Sequence, residues 1–196
     1  MSPFLKLGKS KILVALIVVV LLSALIVVIV FSLNGTPPSS NGSDAQNDIQ
    51  TDVGSSYPGM IDIVGASIQK NQSTFNSTIT VKDPIITLGE GESAQFDMIV
   101  ILENGEDVLQ TYEFRVDINA TGMFGIVQDV QTQNPQPLQL NSDSNKLTMT
   151  ANLSELNNAT QVEWNVYSTY AKMVGDQLVV NAHDFVPDEG LNVTNF

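Results

Sequence analysis

"AQFDMIVILENGEDVLQTYEFRVDIN", residues 94–119, places two apolar-rich runs on either side of a short polar break. Within the break, Asn104-Gly105 favours a tight turn with positive φ, the kind that joins neighbouring antiparallel strands. The second run alternates: Tyr112, Phe114, Val116 and Ile118 share one side, and Glu113, Arg115, Asp117 and Asn119 the other. Successive side chains on a strand point to opposite faces, so this is a strand with one face in a core and one in water. The stretch predicts a β-hairpin whose apolar face must be covered by a second layer.

The same period of two continues outward. "STFNSTITV" sets Phe75, Ser77, Ile79 and Val81 against Asn76, Thr78 and Thr80. Further strands are expected at 61–69, 124–130, 147–152, 162–167 and 177–181, with one short helical turn in "LSELNN". Short strands, turn signals every 8 to 12 residues and no long helical pattern point to an all-β antiparallel β-sandwich over residues 57–196. No internal repeat is present.

Upstream the composition changes twice. Residues 34–56 hold almost no apolar side chains and many Gly, Pro, Ser and Asn, and read as a disordered stalk. Residues 12–33, "ILVALIVVVLLSALIVVIVFSL", carry no charge. At 1.5 Å per residue such a helix is about 33 Å long, enough for a hydrocarbon core of roughly 30 Å. Lys6, Lys9 and Lys11 precede it, and no Lys or Arg follows until Lys70. The positive-inside rule then puts residues 1–11 in the cytoplasm and everything beyond the span outside, as a single-pass signal anchor in the cell membrane. A cleaved signal peptide is the rival reading, but the apolar run is longer than usual and lacks a clear small-x-small cleavage site. A prepilin-type leader cut after Gly8 would instead make the chain a pilin-like envelope-assembly subunit.

Eight N-x-Ser/Thr sequons, at Asn34, Asn41, Asn71, Asn76, Asn119, Asn152, Asn158 and Asn192, all lie beyond the span. With 17 Asn and 31 Ser plus Thr in 196 residues, chance predicts about 2.6. The excess marks the ectodomain as a candidate glycoprotein. Asn76, Asn119 and Asn152 fall on predicted outward faces, where a glycan is tolerated.

All 21 acids lie after residue 33, against five Lys and Arg there, so this part carries a formal charge of −16. That surface repels phosphate backbones and excludes nucleic acid as a partner. The chain has no Cys, which removes disulfides, thiolate metal sites and a cysteine nucleophile.

The one histidine, His183, sits in "NAHDFVPDEG", residues 181–190, among Asp184, Asp188 and Glu189. Zinc chemistry needs several His or Cys ligands, and the loop departs from EF-hand spacing. A metal site here would be calcium held by scattered oxygens: Asp184 and Asp188, with Asp62 or Asp52 from the domain's opening if the first and last strands are neighbours. Otherwise no cofactor is expected. A hydrolytic triad is disfavoured because no G-x-S-x-G elbow occurs and adjacent strand residues point apart. Glu90, Glu92, Glu103, Glu106 and Asp107 gather at turns, where solvated charge is the ordinary state. The chain is therefore read as a non-enzyme.

Three short motifs carry a resemblance. Asp62, Ile63 and Val64 open the first strand in a "DIV-x-A-x-I" pattern, Leu153 to Leu156 form an L-S-x-L turn, and Asp184, Pro187, Asp188 and Gly190 match a "D-x-x-P-D-x-G" closing loop. Together they resemble the carbohydrate-binding module family 9-like and DOMON-like β-sandwiches over residues 52–190. The resemblance implies a non-catalytic accessory domain of secreted or cell-surface proteins, with sugar binding in some members and haem, held by a Met and His pair, in others. Here Trp164 alternates with Val162 and Val166, a core position rather than a sugar platform. The expected role is binding or structural, in the cell envelope, with envelope proteins or polysaccharide as partners and a carbohydrate-binding module as the alternative.

Overall fold

The computed structural model describes residues 41–195 apart from 46, 47, 55, 72 and 188–190, and leaves the side chains of 41, 52 and 195 aside. The membrane span expected at 12–33 lies outside the described residues. Among those that are described, no helix is long and apolar enough to cross a membrane.

The hairpin forms as the sequence predicts. Strands β5 (Glu92–Asn104) and β6 (Asp107–Asn119) pair antiparallel and close at Asn104↔Asp107, with Gly105 at φ 65°. Phe114, Val116 and Ile118 are buried, while Tyr112 is half-buried with its hydroxyl on Glu155.

Around the hairpin are β1 (Asn41–Ser43), β2 (Gln50–Val53), β3 (Ile63–Asn71), β4 (Thr74–Val81), β7 (Gly122–Asp129), β8 (Pro135–Pro137), β9 (Gln139–Asp143), β10 (Lys146–Asn152), β11 (Gln161–Val174), β12 (Gln177–Val186) and β13 (Asn192–Asn195). They form two antiparallel sheets. The smaller has the order β1-β3-β4-β10-β9, and the larger β2-β12-β11-β5-β6-β7-β8, with β13 beside the first residues of β11. "LSELNN" contains a 3-10 turn, Ser154–Asn158.

Both sheets bury alternate residues against each other. Phe75, Ile79 and Val81 of β4 meet Phe96, Met98, Phe114 and Val116 from the larger sheet in one continuous core. Phe75 and Phe114 pack with ring centroids 5.2 Å apart, a tilted contact worth somewhat more than its buried area. Trp164 is fully buried, and its indole N–H donates to Thr194 Oγ1 at 3.3 Å. That confirms its core position and fastens β13.

The described part of the stalk expected at 34–56 requires a correction, while 34–40 lie outside the described residues. The stretch expected to be a disordered stalk contributes β1, which pairs with β3, and β2, which pairs with β12. Edge strands need only backbone partners on one side, so polar Asn-Gly-Ser and Gln-Thr-Asp segments can form them without an apolar pattern. The outermost strands are three to five residues long, and β8 carries Pro135 and Pro137. Short, proline-bearing edges resist pairing with other chains.

The core position of Phe75 gives a measurable contrast. Phe75→Ala is expected to lower stability by about 3–5 kcal/mol, whereas Phe124→Ala, at a 54% exposed position, should stay within roughly 0.5 kcal/mol. Urea unfolding of the two variants checks the assignment of inner and outer faces.

Candidate functional site

Asp184 points inward from β12 and is 2% exposed. Its Oδ2 accepts the backbone N–H of Ile63 at 2.6 Å, a bond that ties β12 in one sheet to the start of β3 in the other. Asp44, just after β1, and Asp48, just before β2, reach the same point. One carboxylate oxygen from each of Asp44, Asp48 and Asp184 lies within 4.8 Å of the others. Asp48 Oδ1 is shut off from solvent without a hydrogen bond. Asp62, 1% exposed, stands close enough for its charge to act on Asp184, and its Oδ2 lies 3.6 Å from Lys82 Nζ.

Burial, and then the neighbouring charges of Asp48 and Asp62, push the Asp184 carboxyl up to about 7, against the pull of the Ile63 N–H. Asp44 and Asp48 are half-buried, but a buried carboxyl such as Asp184 beside other acids favours a proton or a cation. The spacing suits calcium: oxygens about 2.4 Å from one ion can be at most about 4.8 Å apart. Asp62, expected as a ligand beside Asp184, acts on that carboxyl through its charge, but the three carboxylates whose oxygens converge are Asp44, Asp48 and Asp184, and β3 and β12 lie in different sheets. Asp188 lies outside the described residues. Asp44 and Asp48 were missed because they fall in the segment read as stalk; their signal was a run of three acids spaced four apart, Asp44, Asp48 and Asp52, in a stretch without other charges.

His183 points the other way. Its Nε2 is 3.3 Å from Gln50 Oε1, and its ring meets Phe185 edge-on at 5.5 Å on the outward face of the larger sheet. His183 and Asp184 therefore occupy opposite faces and make no catalytic pair.

That outward face is built in registered rows. Tyr167, which stacks on Phe185 at 6.0 Å, is in line with Asp97 and Arg115. Asp97 is fully buried by its neighbours and accepts from Arg115 Nε at 3.0 Å and Gln95 Nε2 at 2.6 Å. Burial pushes its carboxyl up, and Arg115 only partly offsets this. Arg115 also binds Glu113, which accepts from Gln128. Beside this network lies an open groove of about 470 Å³, lined among others by Gln95, Asp117, Asn119, Phe124, Thr169 and Asn181.

The sequons separate by face. Asn76 and Asn152 lie on the outward face of the smaller sheet, where Asn76 Oδ1 accepts from Thr150 and Asn152 Oδ1 from Thr74. Asn71 and Asn158 are exposed near the same end. Asn192 is a correction: it is fully buried, and a Cβ placed on Gly42 would meet its amide nitrogen at 2.7 Å. The folded domain leaves no room for a glycan there. The side chain of Asn41, and Asn34 altogether, lie outside the described residues.

Compared with known proteins, the chain matches no protein-family model and no curated protein.

The raised pKa of Asp184 fixes a sign. The folded state holds its proton up to about pH 7 and the unfolded state only to about 4, so stability falls as pH rises through that window. Between pH 5 and pH 8 the wild type should lose on the order of 2–3 kcal/mol relative to Asp184→Asn, which keeps an acceptor for Ile63 but cannot ionise. At pH 8, millimolar calcium should raise the unfolding midpoint of the wild type and leave that of Asp184→Asn unchanged. Urea unfolding at each pH, and thermal unfolding with EDTA or calcium, read the two effects.

Proposed function

We propose that the protein is a single-pass, membrane-anchored ectodomain with a non-catalytic binding or structural role outside the cell. The observation that supports this reading is the uncharged apolar run at 12–33 behind Lys6, Lys9 and Lys11, followed by a two-sheet β domain. A divalent cation on Asp44, Asp48 and Asp184 would fasten Asp44 and Asp48, which lie between β1 and β2, to β12. The divergence of His183 from Asp184 supports the non-catalytic part.

A second reading, carbohydrate binding, is favoured by the groove on the larger sheet. It combines an exposed aromatic ring, Phe124, with amides and a carboxylate. An apolar platform edged by hydrogen-bonding groups is the chemistry that recognises a saccharide, whose rings have apolar faces and hydroxyl rims.

Because the chain has no Cys, single substitutions report topology cleanly. Val108→Cys, at an exposed position in the domain, should react in intact cells with a membrane-impermeant maleimide. Ser2→Cys should react only after permeabilisation. The reverse pattern, or release of the domain from the membrane fraction, would defeat the anchored reading.

A further inference from the structure

We infer that Asn119 carries an N-linked glycan and that this glycan occupies the groove of the larger sheet, with a sugar ring on Phe124. The inference rests on the reading of that groove as a saccharide site and names the saccharide as the chain's own.

Asn119 is the last residue of β6, in the sequon Asn119-Ala120-Thr121 at the tight turn into β7. Its Oδ1 accepts both the backbone N–H of Thr121 at 2.8 Å and the Thr121 hydroxyl at 2.6 Å. Those two bonds hold the amide by its oxygen and leave Nδ2, the atom that takes the sugar, as its other end. Asn119 itself lines the groove.

Room exists for the linkage. The cross-strand partner of Asn119 is Gly122, at φ 132°, and a Cβ there would meet nothing within 4 Å. Phe124, two residues farther along β7, is paired with Asp117 and so stands diagonal to Asn119. Diagonal neighbours on antiparallel strands are about 7–8 Å apart, the distance one sugar ring spans. A ring leaving Nδ2 over Gly122 therefore arrives at Phe124, one of the most exposed aromatic side chains of the domain.

The groove floor continues the path. Ser93 is in register with Asn119, and Ala171 with Ser93, so small side chains run beneath it toward Asn181. Asp117 and Gln95 stand in the adjacent row. Gln95 has given its Nε2 to Asp97, which leaves Oε1 to accept. The groove therefore offers acceptors to hydroxyl and N-acetyl N–H groups. In the attachment step the Asn119 amide nitrogen displaces the phosphate of a lipid-phosphate-activated oligosaccharide at its anomeric carbon. The C–N bond forms as the C–O bond breaks, and the amide loses one proton.

The test uses the full chain made in a host with N-linked glycosylation, read by glycopeptide mass mapping and by hydroxyl-radical footprinting of Phe124. Asn119 should be occupied, and oxidation of Phe124 should rise at least threefold in Asn119→Gln and in Thr121→Ala. Thr121→Ser, which restores the sequon, should restore protection, and Phe185, outside the groove, should oxidise equally in all forms. An unmodified Asn119, or Phe124 oxidising alike with and without the glycan, overturns the proposal. If, in addition, a panel of soluble oligosaccharides protects Phe124 in Asn119→Gln, the saccharide reading stands and only its source is wrong. If none does, both fail.

Discussion

A strand shows alternate side chains to opposite faces, and every other feature of this protein follows from how that rule is obeyed between two sheets. A slip of one residue in β11 would turn Val162, Trp164, Val166 and Tyr170 out to solvent and bring Glu163, Asn165 and Tyr167 in. The same rule sends His183 to the outer face and Asp184 to the inner one, so two residues adjacent in sequence enter unrelated environments. It also places Asn76 and Asn152 outside beside threonines while Phe75 and Ala151 pack within.

Polar groups admitted between the sheets are the exceptions that locate something other than packing. Ser168 gives its hydroxyl to the Ile61 carbonyl, and Asp184 takes the Ile63 N–H, so both connect β11 and β12 to the chain entering β3. These bonds align the sheets in a way that non-directional apolar contact does not. Asp184 differs from Ser168 in being a carboxyl group, and burial with the nearby charges of Asp48 and Asp62 raises the penalty for ionising it. The junction is consequently the place where proton concentration is expected to act on the fold.

The central strands were legible because burial imposes a period on their sequence. The β5–β6 hairpin could be read from Asn104-Gly105 and the alternation through Ile118. β11 runs to Val174, beyond the expected end at 167, because Ser168 and Thr169 interrupt the apolar pattern although Ser168 is buried. β1, β2, β8, β9 and β13 were invisible for a different reason. A peripheral strand is specified by backbone hydrogen bonds that any residue can make, so "NGS" and "QTDV" carry no periodic mark. The candidate cation site inherits that division: Asp184, on a patterned strand, was proposed, whereas Asp44 and Asp48, beside unpatterned edge strands, were not.

The two outer faces differ in chemistry as much as the inner faces agree. On the smaller sheet, Thr74, Asn76, Thr78, Thr148, Thr150 and Asn152 form a neutral hydroxyl and amide surface, and two of its amides are sequon asparagines held by threonine hydroxyls. On the larger sheet, Tyr167, Phe185 and Phe124 flank the buried Asp97 and its partners Arg115 and Gln95. A surface carboxylate that is fully covered by its neighbours incurs a desolvation penalty, which its hydrogen bonds only partly offset. In return Gln95 is held in one orientation at the edge of the groove. Orientation of that kind matters for recognition and contributes little to a sheet already closed by its core. The larger sheet is therefore the face on which to seek a ligand, and the smaller one the face that keeps the domain in water.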